Sequence, residues 1–190
     1  MEERALSTLK VILTERGVKA DNFETVGSTL DDAKIYTNAG ILIIFSTKAR
    51  ISEKDLNTFI DYAKENNYTS GTIIVGLSRP SEAVLNSLRT YVNQKDVPTL
   101  HVFEIRHLQI QYGKHHKVPK HRIVDSNELP EILKHENAKS PSVFRKIDSQ
   151  DAMAKWVGAR PGDVIEVTGM CESSVENKRY LFCMADVVNG

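Results

Sequence analysis

Three short β-branched runs, set apart by helix-length segments, limit what this chain can fold into. "ILIIFSTK" begins at residue 41, "TIIVGL" at 72 and "TLHVFEI" at 99. Each is apolar through most of its length, as a strand covered on both faces must be. The segments between them are amphipathic and about fifteen residues long, and that alternation implies an α/β sheet that is at least partly parallel. The first connecting helix is predicted to follow Ser52, with Asp55 three residues on completing a capping box. Leu56, Phe59, Ile60 and Ala63 form its apolar stripe. The second is predicted to start at Pro80, because a missing N–H suits the first helical position. Val84, Leu85, Leu88 and Val92 would face inward. Leu6, Leu9 and Leu13 place another helix over residues 4–16, with Gly17 as its stop.

After Gly113 the pattern changes. A basic connector, 114–122, leads to a short strand near 122–124 and a short acidic helix near 126–135. The polar loop "NAKSPS" follows, then a helix over 149–157 and strands near 163–170 and 179–188. This reads as a second, smaller α+β unit, so the chain divides into 1–113 and 114–190. Its clearest local feature is the corner "AMAKWVGARPGDVIEV", residues 152–167. Met153, Trp156 and Val157 share one helix face. Gly158 can end the helix in the left-handed conformation. Pro161 and Gly162 suit the two central positions of a type II turn. In the strand beyond, Ile165 and Val167 alternate with Val164, Glu166 and Thr168.

Composition excludes several classes. The 190 residues carry 25 Lys or Arg and 25 Asp or Glu. A free-standing nucleic-acid binder shows a basic excess, so any such contact must be local or shared with other subunits. Two cysteines, Cys171 and Cys183, make neither a disulfide framework nor a zinc set, and reduced thiols are expected. The opening "MEERALSTLK" is not a signal peptide. "ILIIF" is too short to span a bilayer. A soluble intracellular protein with no membrane contact is expected.

No nucleophilic centre is visible. There is no Gly-x-Ser-x-Gly elbow, and neither cysteine has a local histidine partner. Cys183 alternates with apolar residues as a buried small hydrophobe does, and Cys171 is placed near the hairpin tip. Trp156 is read as a core or interface anchor rather than a base-stacking platform. The run "KHHKVPKHR" could offer His115, His116 and His121 to a metal, but two are adjacent and no carboxylate or cysteine lies among them, unlike closed zinc sites. It could instead meet nucleic-acid phosphate, or form a solvated linker or a seam to a partner protein. No catalytic residue, metal or cofactor is assigned.

"DAMAKWVGARPGDVIEV" resembles the pattern Asp-Pro-Val-Ala-Arg-Tyr-Leu-Gly-x-x-x-Gly-x-Val of the fifth, shared subunit of nuclear RNA polymerases, a family with a short archaeal counterpart. Asp151, Ala154, Gly158, Gly162 and Val164 match, and Lys155, Trp156 and Val157 are similar in kind. Val118, Pro119, Lys120 and His121 match the family's Val-Pro-Lys-His segment. Pro80 and Ser81 match a Thr-Pro-Ser-Ala loop, where Arg79 and Glu82 depart from it. Only Arg179 and Tyr180 are recognisable in the family's final return strand. The resemblance implies an N-terminal jaw with a restriction-endonuclease-like core, beside downstream duplex DNA. It also implies an assembly module that docks on the largest subunit among the other polymerase subunits. Under it, Arg79, Pro80 and Ser81 are DNA-proximal, and the matched residues from Val118 to Tyr180 serve docking. The departures imply a distant member, encoded by a large DNA virus and acting in the nucleus, a viral factory or the virion.

The implied jaw fold raises a competing function, a stand-alone Mg²⁺-dependent nuclease. Such a core would set acids and a lysine at the end of a central strand. Lys48 is there, but Ser46 stands where an acid is needed, and Asp31 and Asp32 lie upstream.

Overall fold

In the computed structural model the described residues are all but 21, 28–29, 31, 95–96, 172–173 and 186–190, with backbone alone described at 170, 171 and 174–176. They form two units, Met1–Gln111 and Tyr112–Gly190. The first contains α1 (Glu2–Glu15), β1 (Glu24–Val26), β2 (Ala33–Asn38), β3 (Ile41–Ser46), α2 (Glu53–Glu65), β4 (Gly71–Gly76), α3 (Glu82–Val92) and β5 (Leu100–Glu104). The three strands read from sequence, β3, β4 and β5, are parallel neighbours in a sheet of order β1-β2-β3-β4-β5. The other two strands extend it antiparallel through a hairpin, in which Asn38 pairs with Ile41 around Ala39 and Gly40. Both turn residues have positive φ, 47° and 80°, the backbone of a two-residue type I′ hairpin.

Burial on both faces follows from the register. Leu42, Ile44, Ile74, Leu100 and Val102 face the stripes of α2 and α3. Ile43, Phe45, Ile73, His101 and Phe103 point the other way by alternation and are equally buried. That second face carries α1, whose Ala5, Leu9, Ile12 and Leu13 are buried. Glu2 accepts hydrogen bonds from Lys34 Nζ and Tyr36 Oη on β2, each 2.7 Å. At the helix's far end Gly17 has φ 79°. Its N–H donates to the Thr14 carbonyl and the Val18 N–H to that of Leu13, which is the paired closure of a left-handed helix stop.

The capping box at Ser52 is formed in both directions. Asp55 also receives Lys48 Nζ at 2.6 Å, and that ammonium holds its carboxyl down to about 2. Ser52→Ala should cost about 1 kcal/mol and Ser52→Gly a few tenths, read as a shift in the urea midpoint of helical circular dichroism. An equal loss for both variants would remove the cap as the cause. The start of α3 is corrected. Pro80 lies outside the helix and Ser81 is the N-cap, with φ −71° and ψ 162° and its hydroxyl accepting from the Val84 N–H. A hydroxyl at the cap satisfies a donor that proline at the first position would only leave absent.

The second unit contains β6 (Lys120–Ile123), α4 (Leu129–His135), β7 (Arg145–Asp148), α5 (Ala152–Val157), β8 (Val164–Cys171) and β9 (Ser174–Met184). Its sheet runs β6-β8-β9-β7, antiparallel except for the β7–β9 pair. Two expectations need correction. The helix begins at Ala152 rather than 149, because residues 145–148 are drawn into β7 and Asp151 caps the helix behind them. The division falls ahead of Tyr112, not after Gly113, because both residues pack on Trp156 of this unit. Among the described residues no helix is long and apolar enough to cross a membrane.

Candidate functional site: the corner of the second unit

The corner is built as its sequence spells it. Asp151 Oδ1 accepts from the Met153 N–H at 2.9 Å. Gly158 ends α5 with φ 80°, and the N–H groups of Gly158 and Ala159 both donate to the Ala154 carbonyl at 3.0 Å. The turn follows. The Asp163 N–H donates to the Arg160 carbonyl at 3.0 Å, and Gly162 takes φ 101°. The Arg160 N–H returns a bond to Asp163 Oδ2 at 2.7 Å. Two more bonds stitch the turn to β9. The Gly162 N–H reaches the Cys183 carbonyl, and the Cys183 N–H reaches the Asp163 carbonyl, both at 2.8 Å. Ala154, Ala159, Ile165, Val167 and Cys183 close a small core beneath it. Burial pushes the Cys183 thiol up to about 12, so it packs and does not react.

Trp156 occupies the helix's other buried side and is 1% exposed. Its ring meets that of Tyr112 edge-on, with centroids 4.7 Å apart, and Tyr112 Oη donates to the Ala152 carbonyl at 3.0 Å. A Cβ on Gly113 would overlap the indole. The indole therefore fastens the start of the unit to its central helix.

The residues singled out from sequence separate into two groups. Ala154, Trp156 and Val164 are buried in the unit's own core, and Gly158 and Gly162 set its backbone. The three buried side chains build the corner from inside, whereas Gly158 is half-buried and Gly162 exposed. Lys120, Asp151 and Arg179 are exposed, while Val118, Pro119, His121, Val157 and Tyr180 are half-buried. Lys155 is half-buried too, and burial pushes its amine down to about 8 against the pull of Asp151 and Asp148. His121 and Arg179 flank Val167 across the sheet, and His121 Nδ1–H donates to the Pro119 carbonyl at 2.7 Å. Tyr180 stacks at 5.6 Å on Phe144.

The basic run is not gathered around an ion. His115 and His116 stack on each other at 4.5 Å, and His121 turns to Pro119. Among the described residues no group of three or more His, Cys, Asp or Glu side chains is placed to hold a metal. In the first unit, Lys48 is engaged by Asp55 and, at 3.3 Å, by Asp32. Asp31, the side chain of Cys171 and the hairpin tip lie outside the described residues. Arg79, Pro80 and Ser81 sit in the loop leaving the carboxyl end of β4, with Arg79 and Ser81 exposed.

One feature escaped sequence reasoning. Arg122 on β6 donates through Nε and Nη2 to both oxygens of Glu166 on β8, at 3.1 and 2.9 Å. It also reaches Glu128 at 2.7 Å, and Lys178 stands 3.8 Å from Glu166. The Glu166 side chain is 5% exposed, and the guanidinium keeps its carboxyl below the usual range. Arg122 and Glu166 lie far apart in sequence, and the β6–β8 register brings them together.

The family described as RNA polymerase Rpb5, C-terminal domain, matches residues 110–181. The "DNA-directed RNA polymerase subunit Rpo5" of Aeropyrum pernix is 36% identical over 72 residues, 38% of this chain and 79% of that protein. Its counterpart in Sulfurisphaera tokodaii is 35% identical over 78 residues, 41% of this chain and 92% of that protein. A longer match, 22% identical over 144 residues, joins 76% of this chain to 72% of the "DNA-directed RNA polymerases I, II, and III subunit rpabc1" of Dictyostelium discoideum. That span exceeds the second unit and takes in part of the first. With the corner residues matched and most of each archaeal relative covered, the chain belongs to the Rpb5/Rpo5 family of DNA-directed RNA polymerase subunits.

Proposed function

We propose that this chain is a non-catalytic subunit of a multisubunit DNA-directed RNA polymerase. Its second unit seats on the largest subunit, and its first unit lies as a jaw, with a restriction-endonuclease-like core, beside downstream duplex DNA. Phosphodiester formation and its Mg²⁺ belong to the large chains. The observation that carries the reading is the family match over residues 110–181, which spans nearly the whole described second unit. The exposed and half-buried matched residues, Val118, Pro119, Lys120, His121, Asp151, Lys155, Val157, Gly158, Gly162, Arg179 and Tyr180, are the docking contacts. The buried ones keep the corner rigid behind them. Arg79, Pro80 and Ser81 lie near the duplex, where Arg79 meets a phosphate and so positions DNA without reading its sequence.

Affinity purification of the tagged full chain from its native source is expected to bring down two large polymerase chains in equal amount. Recovery as a lone monomer would overturn the reading. The Lys120→Glu, Arg179→Glu pair should lower that recovery about tenfold or more, since reversing two charges at a docking face disrupts its electrostatic complementarity. The thermal melt of the free chain should change little, because both side chains are exposed.

A further inference from the structure

The charge on the first unit is unevenly placed. Residues 1–111 hold 13 Lys or Arg against 14 Asp or Glu, so the unit as a whole has no basic excess. Yet the three loops that leave the carboxyl ends of β3, β4 and β5 read "TKARIS" (47–52), "LSRPS" (77–81) and "IRH" (105–107). They contain Lys48, Arg50, Arg79 and Arg106 and no carboxylate. The carboxyl edge of a parallel sheet is where open α/β folds take their ligands.

Hydrogen bonds hold these loops side by side. Ser78 Oγ donates to the Ala49 carbonyl at 2.6 Å, so Arg50 and Arg79 each follow a residue of that contact. The Ile105 N–H donates to the Gly76 carbonyl at 2.8 Å, which brings in the loop that carries Arg106. Ile51 is buried against Gly76 and fixes the backbone on which Arg50 stands. Arg50 and Arg79 are exposed, and the Arg106 side chain is 75% exposed. Neighbouring carboxylates are engaged elsewhere. Asp32 and Asp55 hold Lys48, Glu53 accepts from Ser87, and Glu82 pairs with Arg89. Glu104, whose side chain is 14% exposed, lies 3.3 Å from Arg106 and orients that guanidinium, whose remaining N–H groups still face solvent.

We propose that Arg50, Arg79 and Arg106, one from each of three adjacent loops, form a single track for successive phosphates along one strand of a nucleic-acid duplex. Neighbouring strands lie about 4.8 Å apart, so three loops span roughly 10 Å. Successive phosphates of one DNA strand rise about 3.4 Å along the axis and also wind around it, so the three long side chains must fan outward to meet three of them. The guanidinium fork matches a phosphate in two-point fashion. The inference deepens the jaw reading and rests on it for the identity of the nucleic acid as DNA.

The test uses the full chain and a labelled, mixed-sequence DNA duplex, titrated at several salt concentrations. Each of Arg50→Gln, Arg79→Gln and Arg106→Gln should reduce the slope of log K against log salt by about 0.9, and the triple variant by about 2.7. Lys64→Gln, at the opposite end of α2, should leave it unchanged. A slope change in Arg79→Gln alone overturns the track and leaves the DNA-proximal loop standing. No change in any of the three, or no binding by the unaltered chain at low salt, overturns the inference while co-purification with the large chains still decides the subunit reading. Polyglutamate that displaces the duplex as well as unlabelled DNA does would also overturn it, because the edge would then be a general acid-binding surface.

Discussion

Trp156→Ala should unfold the second unit selectively, lowering its stability by about 3–5 kcal/mol. Against a total of about 5–15 kcal/mol for a typical domain, that removes much of what holds the unit together. The indole is 1% exposed, and its loss takes away two things. The transfer energy of a large ring is forfeited, and the segment at Tyr112 and Gly113 loses the surface it lies on. The unit's own entry strand follows directly from that segment, so the damage should spread to β6. Gly113→Ala attacks the same contact from the other side. A methyl group there overlaps the ring, and forced overpacking costs about 1–3 kcal/mol. Trp156 is the only tryptophan in the chain, so its fluorescence reports this unit in the Gly113 variant without interference. Hydrogen exchange of β8 and β9 amides reads the Trp156 variant. Unchanged protection in Trp156→Ala would show that the ring is a surface anchor after all, and that the corner holds itself.

What the sequence disclosed and what it hid follow from the range of the interactions involved. The α2 capping box, the Gly17 stop and the Arg160–Asp163 turn are all closed within a few residues, and each was legible. So were β3, β4 and β5, whose burial on both faces leaves a run with few polar interruptions. The hairpin strand β2 was not read, because "AKIYTN" mixes polar and apolar residues. Its turn also uses alanine, with φ 47°, where Asn or Asp is the usual signal. The strand β7 was missed for a different reason. "RKID" is short and half-polar, and its place is assigned by parallel pairing with a strand that comes later in the chain. The corner's family spelling pointed to the right unit but not to the roles within it. Ala154, Trp156 and Val164 serve the interior, whereas Lys120 and Arg179 remain outside, and a spelling match carries no information about burial.

The Arg122–Glu166 pair supplies the second large effect, one with a definite dependence on pH. In Arg122→Met a carboxylate that is 5% exposed loses two hydrogen bonds and most of its countercharge. Removing one partner of a fully buried pair costs about 3–5 kcal/mol. Here the Arg122 side chain is 46% exposed and Lys178 remains 3.8 Å away, so about 2–3 kcal/mol at neutral pH is expected. Arg122 holds the folded pKa of Glu166 below its ordinary 4.5. In the native chain this group therefore contributes stability above the unfolded value, and the contribution is lost as pH falls through the folded one. Without the guanidinium, burial dominates and raises the folded pKa, so the sign reverses and protonation on acidification favours the folded form. The stability gap between variant and native chain should accordingly narrow as pH is lowered from 7 toward 4 in urea titrations. Adding Glu166→Gln to Arg122→Met should recover most of the loss at neutral pH and remove the variant's own gain on acidification, leaving only the smaller narrowing that comes from native Glu166. A gap that stays constant across that range would mean that Arg122 acts through packing alone, because its aliphatic stem would then account for the loss.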